Sequence, residues 1–263
     1  MINTIKNVMN TTHPLPFSVY TSVKEQYLLN VPIVKPLLIV VINGEKKLGK
    51  NSELICHSGN FIFLPSSSTI NMRNIPSGKA YFALLIEFDF EDFNGLKLSV
   101  LNKQNYCIGK TTRILEQCLQ QFIECSQWAP KKLWPLRRRE IIELLCHMGH
   151  EEVLSMVGNP KIGHQLHDIF YEQNFKPLTI EYICEQLAMS ESTLRRKLKA
   201  EGTSLQEIKD QARLSFGLHL LQTTDYSIIL IADKCGYQSQ SRFTARFKGR
   251  FGLTPSELRK TKM

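Results

Sequence analysis

The sequence lacks long apolar runs and a recognisable export signal. Apolar stretches such as residues 37–42 stay at about six residues, whereas a membrane-spanning helix needs about 20. The first 25 residues contain no basic start followed by an apolar block, which is the pattern of a secretory signal. We therefore expect a protein of the cytoplasm that has no membrane partner.

Cysteines follow no regular pattern either. There are seven, an odd number, without a C-x-x-C pair, and this favours free thiols over a disulfide framework. No second ligand pair stands at zinc-finger or zinc-ribbon spacing, so we expect ordinary helix-surface histidines, no metal site and no cofactor. The densest group of metal-ligand residue types is Cys146, His147, His150 and Glu151, with His164 and His167 further on.

The chain does contain enough apolar residues to build a core. Of its 263 residues, 43% are hydrophobic and 22% are charged, which is the balance of a soluble folded protein with one large or two modest domains. Lysine and arginine number 33 against 24 acids, a net charge of +9. A protein this basic often binds a polyanion, although net charge alone is weak evidence.

The two halves of the chain differ in periodicity. Short β-like segments at residues 37–42, 60–64, 69–73 and 80–88 are separated by turn residues, a pattern typical of a small barrel or sandwich. From about Thr111, apolar residues recur every three or four positions, which predicts helices.

The break at Gly158 and Pro160 divides these halves into two predicted domains. We expect an α+β fold with an N-terminal domain over 1–158, its barrel at about 15–100 and its helices at about 111–157. An all-helical domain over 159–263 follows.

The second domain contains an internal repeat. The residues Thr179, Ile180 and Ile183 match Ser227, Ile228 and Ile231 at an offset of 48. Each copy predicts a helix-turn-helix unit, at about 178–199 and 227–249, joined by a helix at about 204–221. Small polar residues that favour helix starts precede the predicted helices at Thr179, Ser190, Ser204, Ser227 and Ser239.

The second helix of each unit is basic beside its apolar residues. Arg195, Arg196 and Lys199 flank Leu194 and Leu198, and Arg242 and Arg246 flank Phe243 and Phe247. An α-helix fits the major groove of DNA, where arginine donates two hydrogen bonds to guanine. A merely solvated helix face is the alternative, and the duplication of the pattern disfavours it.

From about Leu178 to Arg259 the chain resembles the DNA-binding domain of AraC/XylS transcription regulators. The resemblance rests on Ile-Ala-Asp-Lys-Cys-Gly-Tyr at 231–237, on Phe-Gly-Leu-Thr-Pro at 251–255 and on the repeat copy at 187–198. It implies a sequence-specific, DNA-binding transcription activator that works with RNA polymerase as a homodimer on promoter DNA. Two recognition helices would enter successive major-groove segments about 34 Å apart.

The resemblance also assigns roles to individual residues. Five residues would contact backbone phosphates, which positions the helices without specifying sequence: Ser190, Lys199, Ser239, Arg246 and Lys248. Base readout would come from Ser192, Arg195, Arg196, Gln240, Ser241 and Arg242. Ala245 departs from the pattern, because some family members have arginine there.

The N-terminal half resembles the cupin-like barrel that many of these regulators place first. The H-x-H pair of metal-using cupin enzymes is missing, since His57 stands alone, so we expect no enzyme. The segment around Lys35 is similar to an enteric virulence subset in which a lysine there holds a fatty-acid carboxylate. Lys35 is therefore an effector candidate for a fatty acid or another anion. In the region where this subset has a second lysine, the chain has Ser227, Ile228 and Ile229.

Several alternatives stay open at this stage. The barrel either binds an effector or serves dimerisation and contact with a regulatory protein. The apolar edge of helix 111–127 (Leu115, Cys118, Phe122 and Cys125) either forms a dimer contact or packs on the barrel. A DNA-repair-type enzyme with an appended double helix-turn-helix would need a proline-cysteine-histidine motif, which none of the cysteines has. A regulator acting by protein contact alone is disfavoured by the arginine faces.

Overall fold

The N-terminal part of the chain is built from antiparallel strands. The computed structural model of the chain describes residues 1–9, 14–96, 105–158 and 160–262. The strands are β1 (Ser18–Ser22), β2 (Gln26–Ile33), β3 (Leu37–Asn43), β4 (Glu45–Leu48), β5 (Leu54–His57), β6 (Asn60–Leu64), β7 (Ser67–Ile75), β8 (Tyr81–Glu87) and β9 (Cys107–Lys110). The segments predicted at 37–42, 60–64, 69–73 and 80–88 all lie on strands.

These strands form a five-stranded sheet in the order β1-β8-β3-β6-β9 and a four-stranded sheet in the order β2-β7-β4-β5. The apolar run of β3 lies at the centre of the larger sheet. Its Ile39 and Val41 pack toward the smaller sheet, and its Leu38 and Val40 pack toward helices. Burial on both faces explains why this strand is continuously apolar instead of alternating. We call the two sheets with their covering helices the β domain.

Helices cover the outer face of the larger sheet. They are α1 (Ile2–Met9), α2 (Arg113–Cys125), α3 (Trp134–His147) and α4 (Glu152–Met156). The α2 edge is buried in this layer, since Leu115, Phe122 and Cys125 are at most 2% exposed. This edge therefore packs on the sheet instead of facing a partner. Strand β9 also extends the sheet beyond the barrel end expected near residue 100.

The C-terminal part is helical, as predicted. Its helices are α5 (Ile162–Glu172), α6 (Ile180–Gln186), α7 (Glu191–Ala200), α8 (Leu205–Thr223), α9 (Ile228–Lys234), α10 (Gln240–Phe251) and α11 (Pro255–Arg259). The predicted N-cap side chains at positions 179, 190, 204, 227 and 239 each accept a hydrogen bond from the backbone N–H three residues later. An α-helix start leaves these N–H groups without partners, so each cap fixes where its helix begins.

The two helix-turn-helix units have different packing environments. The first unit (α6 and α7) shares a core with α5, formed around Leu166, Phe170 and Leu194. The second unit (α9 and α10) belongs to the same apolar cluster as the facing sides of the two sheets. Helix α8 contacts both units. None of the helices in residues 1–9, 14–96, 105–158 and 160–262 is long and apolar enough to span a membrane.

Polar contacts also join α10 to β2. Arg250 donates from Nε to the Asn30 carbonyl oxygen at 3.1 Å, and Asn30 Nδ2 donates to the Arg250 carbonyl oxygen at 3.4 Å. Gly252 caps α10 with a φ of 83°. A Cβ at this position would stand 2.9 Å from Leu29 Cδ1. Both the left-handed backbone and the close approach of β2 therefore require glycine here.

Candidate nucleic-acid interface and the cavity behind it

The second helix of each unit buries its apolar residues and exposes its basic ones. Leu194 and Leu198 of α7, and Phe243, Phe247 and Phe251 of α10, are at most 2% exposed. All of the base-readout and phosphate-contact residues proposed from the sequence lie on the solvent side: Ser190, Ser192, Arg195, Arg196, Lys199, Ser239, Gln240, Ser241, Arg242, Arg246 and Lys248. The helical period places the two sets on opposite faces, so the core holds each helix while its basic face stays open.

The basic face of α7 is largely unpaired. Arg195 forms an i,i+4 ion pair with Glu191, with Nε and Oε1 2.7 Å apart. Arg196, Lys197 and Lys199 have no ion-pair partner among the residues that the structure describes. Exposed i,i+4 pairs stabilise a helix by only about 0.3–0.5 kcal/mol, so Arg195 exchanges Glu191 for a stronger anion at little cost.

The arginines of α10, which are Arg242, Arg246 and Arg250, lie in different environments. Arg242 lies at the start of the helix and donates to Gln238 Oε1 at 3.4 Å. Arg246, one turn further along, is paired with Asp210 of α8. Arg250, one turn beyond Arg246, holds β2 through the Asn30 carbonyl. Arg242 and Arg246 are exposed to solvent, whereas Arg250 is half-buried.

A cleft of about 520 Å³ lies between α8 and the second unit, and Arg213, Arg242 and Arg246 contribute to its lining. Arg213 of α8 lies over the Tyr237 ring, 5.7 Å from its centroid, and donates to the Phe175 carbonyl oxygen at 3.3 Å. Its position at the cleft is not predictable from the sequence, because nothing in the periodicity of α8 shows that this residue faces the cleft.

A second cavity, of about 270 Å³, lies between the β domain and the helices α5 and α8, with the buried Lys46 among the residues that line it. Lys46 donates to Asn74 Oδ1 at 2.7 Å, and its ammonium lies 5.7 Å from the centroid of the Tyr81 ring. Lys46 has no carboxylate partner among the described residues. Burial lowers the pKa of this ammonium to about 8, because desolvation disfavours its charged form.

Hydrogen bonds connect Lys46 to the helical domain. Asn74 Nδ2 donates to Gln26 Oε1 at 2.9 Å, and Gln222 Nε2 of α8 donates to the same oxygen at 3.1 Å. Gln26 Nε2 in turn donates to Thr261 Oγ1 at 2.8 Å. A polar chain thus runs from the cavity through the β domain to α8 and to the end of the helical domain.

Lys35 borders the same cavity, but the protein's own carboxylates already neutralise it. Its Nζ lies 2.8 Å from Asp89 Oδ1 and 3.0 Å from Asp168 Oδ1 of α5. Burial opposes the charged form of Lys35, and the two carboxylates outweigh this effect and raise its pKa. Lys35 therefore links the β domain to α5, and any anionic ligand competes with Asp168 for it.

His167 of α5 contributes to the linings of this cavity and of a neighbouring one. Both of its ring nitrogens are buried without a hydrogen-bond partner among the described residues. Burial, reinforced by the positive charge of Lys35, lowers the pKa of the imidazole to about 4. The ring is therefore neutral at pH 7 and leaves one donor and one acceptor facing the interior.

Comparison with known proteins shows which proteins the helical domain resembles. A model described as a helix-turn-helix domain matches residues 183–261. The transcriptional regulator GadX of Escherichia coli O6:H1 is 37% identical over 127 residues, which are 46% of this chain and 46% of that protein. YdeO of Escherichia coli K12, also a transcriptional regulator, is 37% identical over 84 residues, covering 32% of this chain and 33% of that protein. The helical domain is thus similar to the DNA-binding domains of AraC/XylS transcription regulators.

The AraC/XylS match is concentrated in the helical domain. The aligned part spans less than half the length of the curated relatives. A solved structure of ToxT from Vibrio cholerae extends the likeness to the β domain. It covers 96% of this chain and all of that chain, with a TM-score of 0.67 and 16% identity. At this identity the likeness establishes the fold, with a β domain followed by paired helix-turn-helix units.

Proposed function

We propose that the chain is a sequence-specific, DNA-binding regulator of transcription. The observation that carries the proposal is the repetition of one arrangement. Helices α7 and α10 each bury an apolar face and expose arginines beside it, and α8 joins their units. Activation of transcription, contact with RNA polymerase and a homodimer on DNA are what the resemblance to AraC/XylS regulators implies, and they belong to the same proposal.

Salt dependence tests whether the basic faces bind DNA. A protein that neutralises six to eight phosphates loses about 10³-fold in affinity or more between 50 and 200 mM salt, because counterions are released on binding. We expect this loss for the full chain, measured by fluorescence anisotropy on a labelled duplex. A flat salt response would contradict nucleic-acid binding.

A pair of substitutions tests the division between base readout and phosphate contact. Arg195→Ala and Arg242→Ala should cost about 1–3 kcal/mol on the preferred site and relax preference at one or two base pairs. Lys199→Ala should weaken specific and random DNA by similar factors and reduce the salt slope by about one. Circular dichroism must show that the helical content of all three variants is unchanged. Equal losses on every sequence would contradict base readout by these arginines.

We also propose that the cavity of about 270 Å³ binds a small amphipathic anion such as a fatty acid. Lys46 supports this proposal, because it is a buried cation without a counter-charge among the described residues, and such groups are costly unless paired. A ToxT structure from Vibrio cholerae, with a TM-score of 0.63 and 16% identity, contains an unsaturated fatty acid. Lys35 would contact the ligand only after its ion pair with Asp168 is broken.

Binding of an unsaturated fatty acid to the full chain tests this second function. Isothermal titration should show one site, weakened at least tenfold by Lys46→Met. Lys47→Met is the matched control, because Lys47 is the next residue on β4 and is paired with Glu45 at 3.1 Å. Asp168→Asn should strengthen binding if Lys35 contributes. The proposed ligand is wrong if Lys46→Met and Lys47→Met bind the fatty acid equally.

A further inference from the structure

Three potential metal ligands from two segments of the chain meet beside the edge of the larger sheet. Cys107 is the first residue of β9, His150 follows α3, and Glu152 begins α4. Cys107 Sγ lies 3.4 Å from His150 Nδ1, and the same nitrogen lies 3.4 Å from Glu152 Oε1. All three donor atoms lie within 4.8 Å of one another. We propose that Cys107, His150 and Glu152 form a zinc site that fastens β9 to the turn between α3 and α4.

The distances between the donor atoms agree with a zinc coordination shell. Zinc takes thiolate sulfur at about 2.3 Å and imidazole nitrogen or carboxylate oxygen at about 2.0–2.2 Å. Tetrahedral angles then separate sulfur from nitrogen by about 3.6 Å and nitrogen from oxygen by about 3.4 Å. The two separations found here are both 3.4 Å. A zinc ion therefore fits among these atoms with only small side-chain movements.

The direction of the contacts distinguishes a metal site from a nucleophilic triad. In a triad the histidine uses one ring nitrogen for the nucleophile and the other for the carboxylate. Here Cys107 and Glu152 both approach Nδ1 of His150. The three donor atoms thus cluster around one nitrogen, an arrangement that suits a shared cation and does not suit proton relay.

The orientation of the His150 ring is fixed by its neighbours. The ring stands edge-on to Phe61, with centroids 5.1 Å apart. On its other side it covers Gly109 of β9, where an added Cβ would lie 2.6 Å from Nε2. Glycine at this position therefore lets the ring approach the strand closely while its Nδ1 contacts Cys107.

The donor set selects the metal. Mg²⁺ and Ca²⁺ prefer oxygen ligands only, whereas a thiolate, an imidazole and a carboxylate together suit Zn²⁺. Cys107 is buried, while the side chains of His150 and Glu152 are 21% and 22% exposed, so an ion enters from the solvent side. Binding expels one proton, from the Cys107 thiol, and leaves the fourth coordination position for water.

Zinc binding to the full chain tests the site directly. The protein is treated with a chelator, desalted and titrated with Zn²⁺ against a chromophoric competitor. We expect one ion per chain with micromolar or tighter affinity and a melting temperature raised by a few degrees. Co²⁺ should give the charge-transfer absorption of a thiolate ligand. Failure to bind one equivalent, or Co²⁺ binding without that band, would overturn the proposal.

Variants locate the ion. Cys107→Ser should abolish the cobalt thiolate band, and Glu152→Gln, which preserves size, should weaken Zn²⁺ binding at least tenfold. Cys118→Ser on α2 is the control, because that thiol is half-buried and lies outside the cluster. Circular dichroism of the metal-free Glu152→Gln protein shows whether the fold is retained. Zinc affinity that is unchanged in a folded Glu152→Gln protein would place the ion elsewhere and refute the assignment.

Discussion

Replacing Lys46 with methionine should make the folded chain more stable at neutral pH. The ammonium is buried, and its pKa is lowered from 10.5 to about 8. Each pKa unit corresponds to about 1.4 kcal/mol, so burying the charged form costs roughly 3 kcal/mol below pH 8. Methionine removes this cost but also removes the hydrogen bond to Asn74, which contributes about 1 kcal/mol. We expect Lys46→Met to be about 2 kcal/mol more stable than the parent at pH 7.

The pH dependence of the difference identifies its cause. Between pH 8 and 10.5 the unfolded chain keeps a proton on Lys46 that the folded chain has lost. The parent therefore gains stability relative to Lys46→Met as pH rises through this window. We expect the advantage of the variant to be largest at pH 7 or below and to vanish by about pH 10. Groups common to both proteins cancel in the comparison.

Urea unfolding in reducing buffer from pH 6.5 to 10 measures both quantities. Lys47→Met reports the effect of removing a lysine from the same strand, where the side chain is partly exposed and paired with Glu45. A Lys46→Met advantage that stays constant across this pH range would refute the buried-charge explanation. The explanation would also be refuted if the free energy of unfolding of Lys47→Met depended on pH in the same way as that of Lys46→Met.

Other perturbations test the helical domain. Asp210→Asn removes the ion pair of Arg246 and should raise DNA affinity a few-fold in low salt, measured by fluorescence anisotropy. Weaker DNA binding by this variant would contradict this role of Asp210. Gly217→Ala would place a Cβ 2.7 Å from the Phe243 ring. This overpacking should lower the free energy of unfolding by about 1–3 kcal/mol and shift the urea midpoint to a lower concentration. An unchanged midpoint would argue against such close packing. A fragment of residues 161–263 should keep its helical circular dichroism and bind DNA, and loss of the helical signal would show that the boundary lies elsewhere.

The helical domain could be predicted closely from the sequence because its signals are local. Thr179, Ser190 and Ser239 each cap a helix where predicted. The αL glycine at Gly236, with a φ of 72°, ends the first helix of the second unit. A cap depends on residues only three positions apart, so chain order contains the information needed.

The β domain was less predictable because strands depend on distant partners. The apolar run of β3 was recognisable, whereas β2 contains Pro32 and a register shift and gave no clear alternation. Lys46, Cys107 and Glu152 of the proposed sites were missed for the same reason. Lys46 and Asn74 are 28 residues apart, and Cys107 and His150 are 43 residues apart. No local spacing indicates that these pairs meet.

The unequal anchoring of the two helix-turn-helix units has a consequence for the arrangement of promoter half-sites. The second unit shares its apolar core with the β domain and is tied to β2 through Arg250, whereas the first unit packs in a core with α5. The second recognition helix is thus rigid relative to the bulk of the protein and should fix the register on DNA. Tilting the first recognition helix should cost less free energy, so this helix should tolerate small changes in the spacing between half-sites. We therefore expect insertions between half-sites to be accommodated on the side of the first unit.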